Sequence, residues 1–302
     1  IQRPSVTYMP GSGRTLFGGG YTPGNPYMST VEIVNALTLG NTSDFGELSV
    51  GRSSLSGTGS LTRGLFFSGN TPASPYYVDV IDSIEIATTG NAADFGNLSR
   101  ATQRGAALSS TTRGVFGGGL TGSSPYTRED EIEYVTIASA GNITDFGDLT
   151  SARSALACGS SAVRGFFGGG YPGSGYSNVI DYVTIASTGN ATDFGDLNAA
   201  TGTNTGAASN IRGLSAGGYS PSITNVIDYI TIASTGDATD FGDLLAATRA
   251  LSGTGASTRG IFGGGYAPSI HNIIQYVTIA STGDAADFGD LSGVRGWIGV
   301  TS

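Results

Sequence analysis

The most regular chemistry-bearing groups in the chain are six carboxylates, Asp44, Asp94, Asp145, Asp193, Asp240 and Asp287, each followed by Phe-Gly. A carboxylate in a tight glycine turn can accept backbone N–H groups, ligate a divalent cation or move a proton. The intervals between the six, 50, 51, 48, 47 and 47 residues, favour the first use. An enzyme places a catalytic group once, whereas a building unit is copied. Each Asp is therefore expected to hold a structural turn while its Phe plugs a core. The copying is close: VIDYVTIASTGNATDFGDL at 179–197 returns at 226–244 as VIDYITIASTGDATDFGDL, changed at two of nineteen positions.

Other candidate chemistry is thin. Asp237, Asp240 and Asp243, with Asp284, Asp287 and Asp290, offer oxygen ligands suited to calcium. Their spacing matches no EF-hand loop, and earlier copies carry Asn at the first position, so no metal is expected. The rest of the kinase signature that would accompany a magnesium-binding Asp-Phe-Gly is missing. Cys158 and His271 are each single in the sequence, so they supply no disulfide, metal cluster or Ser-His-Asp set. The 23 acids leave a carboxylate pair for glycoside cleavage possible in principle, but nothing singles one out. The expectation is a chain with no catalytic residues and no cofactor, not an enzyme.

A second marker runs in step with the first. An Arg opens a glycine-ended apolar run at Arg14, Arg63, Arg113, Arg164, Arg212 and Arg259, as in RGFFGGGY. The chain is thus six repeats, near 3–51, 52–101, 102–152, 153–200, 201–248 and 249–294, with 295–302 left over. In the fourth copy, four short strands are read at 153–161, 164–169, 178–187 and from about FGDL onward. Val, Ile, Thr and Tyr mark the third strand, and Gly interrupts every window that could be helical. Four strands in each unit of about 50 residues predict one all-β domain over 1–302, a six-bladed β-propeller with four-stranded antiparallel blades. The third strand is apolar on both faces, as suits a sheet held between two neighbours. The glycines suit backbones that converge on an axis.

Two segments compete to complete the first blade. SVTYM, at 5–9, is flanked by Pro4 and Pro10, whereas GWIGVTS at the C-terminus is unbroken. Because Pro cannot donate to a ladder, residues Trp297–Thr301 are expected to pair with Thr15–Gly18 and close the ring. The acids of the third strands, Glu32, Asp82, Glu133, Asp181 and Asp228, have Gln275 as their sixth equivalent. Either the opening Arg residues pair with them diagonally, or each Arg bonds neighbouring carbonyls. The sequons at Asn41, Asn97, Asn142 and Asn190 fall at or beside the repeated turn and are read as turn chemistry.

The copies diverge in the loop between the second and third strands, from TPGNPYMST at 22–30 to APSIHN at 267–272. Variation on one face of a uniform frame marks the expected binding surface. Tyr27, Tyr76, Tyr77, Tyr126, Arg128, Tyr176 and His271 are its candidate residues. Rigid aromatics among Pro, Ser, Gly and Asn suit contact with a sugar or another protein. The longer, Tyr-richer loops of the first three repeats should dominate.

Composition narrows the partners. All 14 basic residues are Arg, 50 residues are Gly and the net charge is −9 with no basic cluster, which disfavours nucleic acid. No run of eighteen apolar residues is present to span a membrane. Opening on Ile1 with no initiator Met or signal pattern, the sequence reads as a piece of a longer or processed chain.

The repeat, with its Arg, apolar run ending in Gly-Gly, acid–Tyr pair and turn to a fourth strand, resembles a divergent kelch repeat with Phe in the neighbourhood of the usual Trp. The TSDFGEL and ATDFGDL turns are similar to the structural Asp-box of sialidase blades. The RGxFGGGY…IDYxTIA…GNATDFGDL pattern is most similar to Gly-rich virion structural proteins of marine and cyanobacterial phages, and this likeness covers nearly the whole chain. It implies a non-enzymatic propeller on the virion, tail-associated or surface-displayed, whose partners are other virion proteins or a host surface glycan or protein. A bacterial cell-surface adhesin or lectin is the alternative, and a propeller glycosidase the third.

Overall fold

Each repeat's third strand forms where β-branched and aromatic residues alternate, and its partners follow by hairpins. In the computed structural model, which describes residues 13–25, 27–74, 76–122, 125–256 and 258–302, the fourth repeat pairs Ala157–Ser160, Arg164–Gly168, Val179–Thr184 and Thr192–Asp196 in that order. Five further antiparallel four-stranded sheets repeat this pattern, and no helix forms among the described residues. The molecule is a six-bladed β-propeller.

The first strands, Ser56–Gly59, Ala106–Ser109, Ala157–Ser160, Thr205–Ala208 and Ser252–Ala256, lie innermost, with Gly299–Thr301 as the sixth. That last strand pairs with Arg14–Gly18 through Leu16↔Thr301, Phe17↔Val300 and Gly18↔Gly299, so the C-terminal segment closes the ring as expected. The competing SVTYM run lies outside the described residues. Inner backbones pack so closely that a Cβ on Gly206 would stand 2.0 Å from the Cys158 carbonyl oxygen, and one on Gly255 1.7 Å from that of Ala208.

The repeated triplet has a geometric explanation. In every blade the pairing of third and fourth strands slips by one residue at the triplet; in the fourth, Ile180 pairs with Gly195 but Asp181 with Asp193. Phe194 is the extra residue of this β-bulge and turns into the seam between blades. All six equivalent Phe are buried, each in one of six apolar clusters that span two neighbouring blades. The Gly of the triplet has φ between 142° and 159° and touches the next blade's turn, where a Cβ on Gly195 would lie 2.6 Å from the Gly236 carbonyl carbon. The core of this propeller therefore lies between blades rather than within them.

The Asp of the triplet departs from expectation. It lies in the outer strand, exposed, and its carboxylate makes no hydrogen bond among the described residues. The acceptor is the Asn or Asp three positions earlier, which takes a backbone N–H from the preceding blade. Asn190 Oδ1 accepts from Asp148 N–H at 3.1 Å, and Asp237 Oδ1 from Asp196 N–H at 3.1 Å. Asn41, Asn142 and Asn190, at three of the sequons, all serve in this interblade latch.

The opening arginines follow the carbonyl reading. Arg164 donates to Ile232 O and Ala233 O of the next blade, and Arg212 to Ile279 O. From the third blade on, each also lies over the Tyr of its own third strand, as Arg164 does over Tyr182 at 4.7 Å. The strand acids pair instead with arginines of the links between blades: Arg52 with Asp82 at 2.9 Å, Arg153 with Asp181 at 2.5 Å, and Arg295 with Glu32. Diagonal pairing failed because the acid side chain points toward the link, where it also accepts a backbone N–H from the preceding blade, as Asp181 does from Thr150. The segment Arg153–Leu156, expected to open the first strand, is part of this link.

Candidate functional site

Antiparallel order places the loops between second and third strands on the same face as the links between blades. Bridges such as Ser154↔Tyr171 and Arg249↔Tyr266 join the two there. The axial channel opens on this face and offers about 160 Å³ to the centres of water-sized molecules.

The mouth is built by one residue from each link: Ser54, Arg104, Ala155, Thr203, Ala250 and Trp297. All six are left-handed, with φ between 54° and 58°. Each backbone N–H donates to the carbonyl of the one before: Ser54 to Trp297, Arg104 to Ser54, Ala155 to Arg104, Thr203 to Ala155, Ala250 to Thr203 and Trp297 to Ala250, at 2.7–3.0 Å. The hydrogen bonds thus close into a six-membered ring about the axis. This arrangement accounts for a conformation that costs a non-glycine residue on the order of 1 kcal/mol. The backbone is uniform but the side chains are not. Trp297, Ser54 and Arg104 occupy one arc of the mouth, and Ala155, Thr203 and Ala250 the other.

Aromatic and cationic groups surround the mouth. Tyr21 meets Trp297 edge-on at 5.7 Å. Arg249 lies over both Tyr219 and Tyr266, at 5.4 and 4.9 Å, and Tyr176 packs against Tyr171 and Tyr219. Arg128 covers Tyr171 at 4.9 Å. Burial holds the Arg104 pKa below its ordinary value, with Arg249 adding to the effect and Tyr77 and Tyr126 opposing it. Burial raises the Tyr77 hydroxyl, with Tyr126 adding to the effect.

The structure therefore brings together Tyr77, Tyr126, Arg128 and Tyr176 of the expected residues. Tyr76 stands exposed, Tyr27 joins no ring contact among the described residues, and His271 is half-buried, its pKa lowered by burial. The aromatic belt also extends past the first three blades, where the loops are shorter. Sequence reasoning missed Tyr21, Tyr171, Tyr219, Tyr266, Arg104, Arg249 and Trp297. The sequence signal was weak, since the mouth position reads Ser, Arg, Ala, Thr, Ala, Trp in a link whose neighbouring columns also vary.

Groups with perturbed ionisation lie elsewhere or are inert. Glu133 and Asp228 are raised by burial, but each sits within a blade accepting a link N–H, from Ser99 and Asn198. Cys158 lines the channel, where burial pushes its thiol up to about 12 and leaves it protonated near neutrality. No group of three or more potential metal ligands occurs among the described residues. No protein-family model matches the chain, and no curated protein matches it.

Proposed function

We propose that this propeller is a non-enzymatic binding module that engages its partner through the face carrying the variable loops and the channel mouth. The observation that carries this reading is the distribution of difference. The six copies agree in the bulge, the latch and the Phe that plugs each seam, and differ where Tyr, Trp and Arg collect around one opening. Repeated positions serve as scaffold, and recognition belongs to positions that vary on it. A protonated thiol and a single half-buried imidazole give little support to nucleophilic or acid–base catalysis.

The kelch-like repeat and its likeness to phage virion proteins support a place on the virion, in attachment or assembly, with a host surface glycan or another virion protein as partner. A bacterial adhesin or lectin would use the same face. A glycan array probed with the folded chain tests the reading. Retention is expected, and the triple replacement of Tyr76, Tyr77 and Tyr126 by Ala should abolish it. Binding unchanged in that variant, or turnover of a chromogenic glycoside, would overturn it.

A further inference from the structure

The arginines sort by task, and the sorting leaves a remainder. Six open the second strands and lie against the next blade; of these, Arg63, Arg113, Arg164, Arg212 and Arg259 donate to its carbonyls, as does Arg14. Arg52, Arg153 and Arg295 are buried against acids, and Arg100 pairs with Glu129 and Glu131. Arg3 lies outside the described residues. Arg104, Arg128 and Arg249 remain, and none has a carboxylate within ion-pair distance among the described residues. All three lie on the variable face, Arg128 and Arg249 over tyrosine rings and Arg104 on the ring of the mouth.

Unpaired cations are conspicuous on a chain of net charge −9. Arg104 stands on the ring opposite Ala250, the residue that follows Arg249. Nothing in the fold demands Arg104, since Ser, Ala, Thr and Trp occupy the same left-handed position in the other links. Its neighbours on that arc are the Ser54 hydroxyl and the indole of Trp297. An aromatic plate, a hydroxyl and a guanidinium fork together match one chemical object: a sugar ring with an apolar C–H face, hydroxyls and a carboxylate. The net charge of −9 disfavours polyanions such as nucleic acid while leaving room for a single negative charge at the axis.

We infer that the channel mouth is a binding site for the terminal acidic sugar of a glycan, its carboxylate on Arg104 with Arg249 nearby and its ring on Trp297. This rests on the reading of the variable face as the binding face and specifies its ligand. The full chain is titrated calorimetrically with N-acetylneuraminic acid and D-glucuronic acid, and with their methyl esters and D-glucose as uncharged counterparts. Saturable binding of an acid in the millimolar range or tighter is expected, weakened by added salt, with the ester at least about tenfold weaker. Arg104→Asn, which keeps a residue tolerant of the left-handed backbone, should lose the acid by a similar factor while melting like the parent. Ile211→Ser, exposed on the opposite face, should bind as the parent does.

Equal binding of acid and ester, no binding of either acid, or an Arg104→Asn variant that binds normally would each overturn the site; the ester comparison holds even if the variant fails to fold. Array retention that survives Arg104→Asn but is lost in the triple Tyr variant would leave the binding face standing and remove the acidic-sugar site alone. Capture of a carboxylate peptide but of no sugar would also remove it.

Discussion

The fourth and fifth blades share outer strands that are almost letter for letter the same, yet their inner halves are held differently. In the fourth, Arg153 is buried against Asp181, and Leu156 and Phe167 fill the seam toward the third blade. In the fifth the equivalent residues are Thr201, Asn204 and Ser215. Asn204 donates to Ser215 Oγ at 2.9 Å and to Gly168 O, while Asp228 has no arginine and accepts from Asn198 instead. What the two blades share is the acid's bond to the preceding link, from Thr150 N–H in one and Asn198 N–H in the other. The sixth blade keeps that bond with Gln275, which accepts from Leu245 N–H. The invariant task of this position is thus to accept a link N–H. The ion pair is an addition in three blades, and its charge becomes a burden where the arginine is lost.

The largest effect expected from this contrast is in the fourth blade. Asp181→Asn preserves an acceptor for Thr150 but strands the buried Arg153, whose pKa burial already lowers. It should cost ~3–5 kcal/mol in urea unfolding. A loss no larger than that of a surface substitution would break the comparison.

Inner-strand packing separates the blades next. Gly206→Ala in the fifth would press a methyl against the Cys158 carbonyl and should cost ~1–3 kcal/mol. Cys158→Ala, at the matching place in the fourth, should be nearly neutral by the same melt.

The third contrast reverses sign. Burial holds Asp228 and Glu133 above the ordinary carboxylate value, so the folded state binds their protons more readily than the unfolded chain. Their contribution to stability is then complete below the ordinary carboxylate range and declines as pH rises through the raised values. Asp228→Asn should therefore stabilise the chain at neutral pH by on the order of 1 kcal/mol, against the loss in Asp181→Asn, and the gain should vanish near pH 4. Urea midpoints at the two pH values decide it, and a gain independent of pH would contradict the unpaired-charge account.

The smallest effect is kinetic. With its thiol pushed up to about 12, Cys158 should label with an alkylating reagent at pH 8 far more slowly than an ordinary cysteine. Rapid labelling of the native protein would place the thiol outside the packed inner ring.

The blade count, the third strands and the Phe plugs were legible because each is a local pattern copied six times, and the closing segment because prolines flank its only competitor. The role of the triplet Asp was misread because its exposed carboxylate and the latching Asn190 lie three residues apart in one polar turn, and only the neighbouring blade selects between them. Of the face proposed for binding, Tyr77, Tyr126, Arg128 and Tyr176 were legible as loop aromatics and cations, whereas Arg104 and Trp297 were hidden in links that resemble strand starts.

The sequence by itself determined the unit and its number, since alternation and glycine spacing act between residues close along the chain. Tertiary structure alone decided which arginine meets which acid, which turn residue latches a neighbour, and which six residues converge on the axis. Those choices join positions from 28 to more than 200 residues apart, as Arg153 to Asp181 and Ser54 to Trp297 show. Closing the ring brings them together, and no local preference encodes that proximity.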